Sequence, residues 1–312
     1  MSIESGKRKK VLITGANGLL GQKLVGLLRN DPTLEVIGTG KGQSRLPESW
    51  EGSYSWIELD ITDRKQVMDV FSITNPDSVI HTAAMTQVDD CEKDREGCWV
   101  LNVDAVQYLI EACEKHDSHL IHLSTDFIFD GEDGPYTEEA LPNPVNYYGE
   151  SKLEAEKLLL SSNIRWAIVR TVLVYGIAQD MSRSNIILWV KKSLEEGKTI
   201  KVVNDQWRTP TLAEDLAEGC ILIMKKGATG IFNISGADFL TPYDMAIQTS
   251  EYFGLDKTLI TESDSTLFTQ PAKRPPRTGF IIDKAKKELG YSPKSFLAGI
   301  GILAKQLKLA DS

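Results

Sequence analysis

With 312 residues, 41% of them hydrophobic, the chain is long enough to bury a large core, as one big α/β unit or one domain with a smaller appendage. A net charge of −9 argues against a protein that coats nucleic acid, which needs a basic face, but leaves room for an anionic small ligand held by a local cluster of cations. No apolar run approaches the ~18 residues of a membrane span, and the four cysteines (Cys91, Cys98, Cys113, Cys220) form no C-x-x-C pair and lack zinc-site spacing, so free thiols in a reducing cytoplasm and no metal are expected.

Lys7 to Lys10 read as a solvated lead-in to a first strand, with no apolar signal region before it. Val11-Leu12-Ile13 is a short buried strand, followed at once by Thr14-Gly15-Ala16-Asn17-Gly18-Leu19-Leu20-Gly21 and an amphipathic helix carrying Leu24, Val25, Leu27 and Leu28. Strand, glycine turn and helix make the first half of a βαβ unit that binds a dinucleotide. Gly15 allows the tight turn, Gly18 the approach of a phosphate to the backbone, and Gly21 the close packing of helix on strand. The amides of Asn17 to Leu20 and the positive end of the helix dipole then face the pyrophosphate. Leu34 to Gly38 is the second strand. Beyond it, where an acid would hold the 2′-hydroxyl of NAD, stand Lys41 and Arg45 and no carboxylate. That favours NADP(H), with NAD(H) second; the plainer alternative is two solvated loop cations.

Trp56 to Leu59 is a third strand ending in Asp60-Ile61, where the acid can meet an adenine amino group while Ile61 packs on the ring, or else is a plain turn residue, and Asp63 caps a helix running to about Ser72. Val79 to Thr82 is a fourth strand, leading into small Ala83-Ala84, where a cofactor can lie against backbone. His81 by itself reads as a packed strand residue. Glu96 to His116 is one long helix with Trp99, Val103, Val106, Leu109 and Ile110 at helical spacing, a stripe for core or subunit interface, with Asn102 as an unusual polar residue inside it.

Leu120 to Leu123 is a fifth strand, with Ser124-Thr125-Asp126 at its carboxyl end, where open parallel sheets keep their chemistry. A long Gly/Pro-rich loop leads to Tyr147-Tyr148-Gly149-Glu150-Ser151-Lys152 at the start of a helix, and Trp166 to Arg170 is a sixth strand. The strict alternation then loosens. Helices are expected at 185–196, 213–225, 243–253, 283–289 and 297–307, with strands at 200–203 and 230–234. The resulting architecture is a doubly wound (Rossmann) parallel sheet, 1–172 plus about 212–236, with a smaller mixed α/β substrate domain woven from about 173–211 and 237–312.

Tyr148 and Lys152 are four residues apart and share one helix face. A phenol with a pKa near 10 exchanges protons poorly at neutral pH unless its anion is stabilised, and roughly three pKa units correspond to about 4 kcal/mol. A neighbouring ammonium supplies such stabilisation. Lys152 also suits the nicotinamide ribose hydroxyls, and Thr125 can hydrogen-bond the same substrate oxygen, so the three polarise a carbonyl that receives hydride.

These residues, with Asp60-Ile61, His81 to Ala84, Ser124 to Gly131, Asn146 to Lys152, Arg170-Thr171 with Val174-Tyr175-Gly176, Asp205-Gln206 with Pro210-Thr211, and Lys273-Arg274-Pro275, resemble the extended short-chain dehydrogenase/reductases and, within them, the dTDP-4-dehydrorhamnose reductase group. The resemblance implies NAD(P)H-dependent reduction of the 4-keto group of a nucleotide-linked deoxysugar. Thr125, Tyr148 and Lys152 would form the triad, with Thr86, Asp126, Phe127, Gln206, Arg208 and Arg274 on the substrate. It implies a homodimer, and the composition adds a cytoplasmic protein without membrane or nucleic-acid partners. Lys273, Arg274 and Arg277 suit a diphosphate, or else a solvated Pro-rich loop. Leu173 stands where these reductases often carry Trp, and Trp207-Arg208 where a smaller, less charged pair is usual. A dehydratase is disfavoured, because Phe127 replaces the expected second acid. A nucleotide-sugar epimerase and a non-catalytic NADP-binding subunit, like the regulatory subunit of methionine adenosyltransferase, are the alternatives.

Overall fold

The structure is a computed structural model and describes residues 8–180, 185–267 and 270–310; Lys7 of the expected basic lead-in lies outside the described residues. The first part of the chain runs β1 (Lys9–Thr14), α1 (Leu19–Leu28), β2 (Leu34–Gly40), β3 (Ser55–Glu58), α2 (Arg64–Thr74), β4 (Ser78–His81), α3 (Val88–Lys93), α4 (Arg95–Trp99), α5 (Ala105–His116), β5 (His119–Thr125), α6 (Tyr147–Leu160) and β6 (Trp166–Thr171). There follow β7 (Val174–Tyr175), α7 (Ile186–Glu195), β8 (Ile200–Val203), β9 (Thr211–Leu212), α8 (Ala213–Lys226), β10 (Gly230–Asn233), α9 (Pro242–Phe253), β11 (Ile260–Ser263) and α10 (Phe296–Ala310).

Seven parallel strands form the central sheet in the order β10-β6-β5-β4-β1-β2-β3. The chain moves outward from β1 through β2 to β3, then returns to place β4 on the other side of β1. The two halves therefore diverge at the carboxyl ends of β1 and β4, the point where a doubly wound sheet opens a crevice for ligand. Because both faces are covered, the central strands are apolar on both sides. Val11, Ile13, Ile80, Ile121 and Val169 face a core shared with α1 and α8, whereas Leu12, Val79, Leu120 and Ile168 face one shared with α2, α5 and α6.

The expected strands of the sheet are all present, with ends shifted by no more than a residue or two. The helix expected over 96–116 is not one regular helix. α4 passes through a π turn at Val100–Asp104 into α5, and Asn102 sits in that turn. The short helix α3 and the strands β7, β9 and β11 were not anticipated. β11 pairs with β8 beside α7 and α9 around Val190, Leu194, Ile200, Val202, Ala246 and Ile260, apart from the main sheet. No described helix is long and apolar enough to cross a membrane.

Candidate active site

The glycine turn closes as its spacing requires. Gly15 adopts φ +67°, and a Cβ there would lie 2.8 Å from the Ala83 amide nitrogen, so the turn sits directly against the loop leaving β4. A Cβ on Gly21 would strike the Gly15 carbonyl, which brings α1 down onto the turn. Gly18 has extended backbone angles and donates its amide to the Gly15 carbonyl at 2.9 Å. As the N-cap of α1 it brings no side chain to the first-turn amides, leaving those of Leu19 and Leu20 uncapped, the arrangement that suits an anion. Asn17 clamps the loop after β2: its Oδ1 accepts from the Arg45 amide at 2.7 Å and its Nδ2 donates to the Gln43 carbonyl at 3.0 Å.

The side chains expected around the adenosine are placed less simply. Lys41 forms an ion pair with Asp60 at 2.9 Å, so the cation expected for a 2′-phosphate and the acid expected for adenine hold each other. Burial works to raise the Asp60 pKa, but hydrogen bonds from Lys41 and Thr62 outweigh it and hold the carboxyl below its ordinary value. Ile61 is buried in the core. The Arg45 guanidinium is exposed and makes no ion pair among the described residues. Asn102 is buried and engaged by other parts of the chain. Its Oδ1 accepts from the Met85 amide at 2.9 Å, and its Nδ2 donates to the Met85 carbonyl and the Ser151 hydroxyl, each at 3.0 Å. It fixes the loop that follows Ala83-Ala84 rather than offering a free group to a cofactor, which explains a polar residue in a π turn.

At the carboxyl end of β5, Thr125, Tyr148 and Lys152 are all nearly buried. Asn146 caps α6 through the Gly149 amide at 2.8 Å, which fixes the first turn carrying Tyr148. The Thr125 hydroxyl donates to Asp126 Oδ1 at 3.1 Å and accepts from the Phe127 amide at 3.3 Å. Burial pushes the Tyr148 phenol above its ordinary pKa, against the influence of the Thr125 hydroxyl and with the help of the Asp126 charge. Burial lowers Lys152 to about 8, opposed by the negative charge of Glu156 and by Cys98. Its ammonium meets His122, with Nζ 3.1 Å from Nε2.

Asp126 is fully buried. Burial raises its carboxyl, opposed by the Arg208 charge and by hydrogen bonds from Thr278 and Thr125. Arg208 lies 3.8 Å from Asp126, stands over the Phe127 ring at 5.6 Å, and donates to the carbonyls of Pro275 and Pro276 at 2.7 and 3.1 Å. Asp126, Phe127 and Arg208 of the expected substrate set are thus gathered beside Tyr148. Arg274 is not free for a diphosphate: Asp89 takes its guanidinium at 2.6 and 2.8 Å. Arg277 stacks on Phe239, while the Lys273 carbonyl accepts from Asn146. Thr86 is exposed on the loop before α3. Gln206 lines a cavity of about 460 Å³ with Asn185, Trp189 and Lys201 at the start of α7.

Three groups at the site were not singled out from the sequence. His122 touches Lys152. Glu156 receives Arg170 at 2.7 Å and Ser124 at 2.5 Å, tying α6 to β5 and β6. Cys98 approaches Ser151 and Asn102. The available clue was period two: His122 and Ser124 alternate with apolar residues on one face of β5, and Arg170 shares that face on β6. No group of acids, histidines and cysteines suited to a metal occurs among the described residues.

Comparison with known proteins accords with this geometry. Residues 9–309 match the family described as RmlD substrate binding domain. The chain is 31% identical over 302 residues to dTDP-4-dehydrorhamnose reductase of Aggregatibacter actinomycetemcomitans, covering 92% of this chain and 95% of that protein. It is also 31% identical over 252 residues to methionine adenosyltransferase 2 subunit beta of Bos taurus, covering 79% and 73%. The solved structure of dTDP-4-dehydrorhamnose reductase from Bacillus anthracis in complex with NADP superposes with a TM-score of 0.81 at 25% identity, covering 96% of this chain and 99% of that one. With a family match spanning almost its whole length over a dinucleotide turn and a Thr-Tyr-Lys cluster, the chain belongs to the dTDP-4-dehydrorhamnose reductase-like family of extended short-chain dehydrogenases/reductases.

Proposed function

We propose that the protein reduces the 4-keto group of a nucleotide-linked deoxysugar, of the dTDP-4-dehydrorhamnose type, using NADPH. The observation that carries this reading is the burial of Thr125, Tyr148 and Lys152 together at the end of β5, beside a glycine turn shaped for a pyrophosphate. The turn amides, Ala83-Ala84 and Lys152 would hold the dinucleotide, with Arg45 and Lys41 near its 2′-phosphate; NAD(H) is the second candidate. Bound NADPH supplies the hydride. A phenol whose pKa is raised keeps its proton at neutral pH, the state a proton donor to the sugar O4 requires. Thr125 orients that phenol, and the Lys152 ammonium favours the phenolate left behind. Asp126, Phe127 and Arg208 border the sugar, and the cavity at Gln206 and Trp189 is suited to the nucleotide end.

Two further expectations belong to this proposal. The partition into a cofactor domain (1–172 with about 212–236) and a substrate domain is supported by the separate apolar cluster around β8 and β11. A homodimer through the helices around Trp99 and Tyr147 is supported by the exposure of Trp99, and sedimentation would measure it.

The deciding experiment follows NADPH oxidation with a panel of nucleotide-linked 4-keto sugars, comparing wild type with Tyr148→Phe. A loss of about a hundredfold or more is expected, the scale of removing a general acid; equal rates would refute the mechanism. A second reading, a cofactor-binding regulatory subunit, is supported by the similarity to methionine adenosyltransferase 2 subunit beta. Tight NADPH binding with no turnover on any sugar would favour it.

A further inference from the structure

Beneath the catalytic lysine lies a row of polar side chains that the reaction as described does not use. Thr14 is the register partner of His81 between β1 and β4, and His81 is the partner of His122 between β4 and β5. All three point to the face covered by α5 and α6, since Leu12, Val79 and Leu120, two residues earlier on each strand, lie in that core. None is more than 2% exposed. Thr14 Oγ1 is 2.7 Å from His81 Nδ1, the two imidazoles stack with centroids 5.3 Å apart at 29°, and His122 Nε2 meets Lys152 Nζ at 3.1 Å. Aliphatic residues would fill this layer without the cost of desolvating polar atoms.

Burial keeps both rings neutral, lowering His81 to about 3 and His122 well below its ordinary range, with the Lys152 charge adding to each. A neutral imidazole has one lone pair and one N–H, whereas an ammonium only donates. The contact with Lys152 therefore needs the lone pair on Nε2 and puts the proton on Nδ1. His122 Nδ1 has no hydrogen-bond partner among the described residues. A buried unsatisfied N–H is costly, so something must hold this tautomer in place. The other groups facing Lys152 are Glu156 one turn further along α6, Tyr148 one turn before, Cys98 from α4, and His81 behind the first imidazole. Glu156 is already taken by Arg170 and Ser124.

We propose that His122 is a positioning residue for the reduction: its Nε2 accepts a hydrogen bond from the Lys152 ammonium, keeping the lysine charged and aimed at the crevice, while His81 and Thr14 hold the imidazole in place. The proposal rests on the reading of Lys152 as catalytic. An acceptor bonded to the charged form favours that form, so loss of His122 lowers the pH at which Lys152 gives up its proton.

The test compares wild type, His122→Phe, His122→Gln and Lys152→Met in the pH profile of kcat/KM. In parallel, the 15N resonances of the Lys152 ammonium and the His122 ring are followed in the ligand-free protein. His122→Phe is expected to move the alkaline limb down by about one unit, about tenfold in rate on that side, and to move the ammonium titration with it. His122→Gln, which restores a carbonyl acceptor, is expected to return both. The wild-type ring is expected to carry its proton on Nδ1, which needs no variant to observe. An Nε2–H tautomer, a limb that moves up, or a uniform loss of rate with the limb unmoved would overturn the proposal. If Lys152→Met turns over like wild type, the catalytic reading of the lysine fails instead, and the 15N data report the hydrogen bond independently.

Discussion

The ion pair between Arg170 and Glu156 is the firmest place to test how α6, which carries Tyr148 and Lys152, is held. Both side chains are at most 3% exposed; the guanidinium reaches the carboxylate through Nη2 at 2.7 Å and Nε at 3.1 Å, and Ser124 adds a third donor. Arg170 also donates to the Glu138 carbonyl at 3.1 Å. Arg170→Met removes two of the three bonds to a carboxylate that water does not reach, leaving Ser124 alone. Removing one partner of a buried pair costs about 3–5 kcal/mol, because the remaining charge is stranded. At about 2.1 cal/mol/K of unfolding entropy per residue, a chain of 312 residues loses roughly 1.5 °C per kcal/mol, so Tm should fall by about 5 °C or more. The double variant Glu156→Leu with Arg170→Met removes both charges, and replacing a whole buried pair by apolar groups is often near neutral. Calorimetry on the wild type, each single variant and the double variant closes the cycle. A drop below about 2 °C for Arg170→Met, or a double variant no more stable than either single one, would refute the stranded-charge argument. The double variant carries a second consequence: the Glu156 charge raises Lys152, so the restored protein should show its alkaline limb at lower pH.

Three further outcomes follow from the site. Lys152 is lowered from 10.5 to about 8 on folding, so between those values the unfolded chain binds more protons and this residue's contribution to stability rises with pH. Below pH 8 its burial costs about 3 kcal/mol, at about 1.4 kcal/mol per unit; Lys152→Met should therefore be inactive yet more stable than wild type at pH 7, and a lower Tm would contradict the sign. Gly21→Ala places a Cβ 2.6 Å from Ala16 Cα, which should weaken NADPH binding at least ~10-fold in a fluorescence titration while the chain stays folded; an unchanged Kd would count against the turn. Lys41→Ala combined with Arg45→Ala should weaken NADPH more than NADH, and an equal loss would remove the basis for the NADP preference.

The fold was legible because its strands are short apolar runs separated by glycine turns and amphipathic helices, and each run of the main sheet lies in the expected place. The glycine turn and the Tyr148–Lys152 spacing were legible for a related reason: both are local patterns whose geometry follows from neighbours in the chain. What escaped were relations between distant residues. Nothing local to Lys41 or Asp60 announces that they pair across the loop, or that Asp89 claims Arg274 over a separation of 185 residues. Asn102 was correctly seen as anomalous, but its partners Met85 and Ser151 come from other elements, so its task was hidden. His81 was read as a packed strand residue. It is packed, and only register across β1, β4 and β5 reveals that its neighbours in the layer are also polar.

That row changes how the two halves of the site relate. Thr14 directly precedes the glycine turn on β1, and His122 precedes Ser124-Thr125 on β5, so one cross-strand layer joins the segment that would seat the pyrophosphate to the segment that would handle the proton. A parallel sheet places equivalent residues of adjacent strands about 4.8 Å apart, which is why a threonine and two histidines suffice to span three strands. Either group could be supported by aliphatic packing alone; a polar row instead ties the height of Lys152 above the sheet to the position of β1. A displacement of the turn is then transmitted to the ammonium through two hydrogen bonds and a ring stack, rather than through interchangeable van der Waals contacts. If the glycine turn seats the dinucleotide as proposed, this layer sets the distance of the lysine from it.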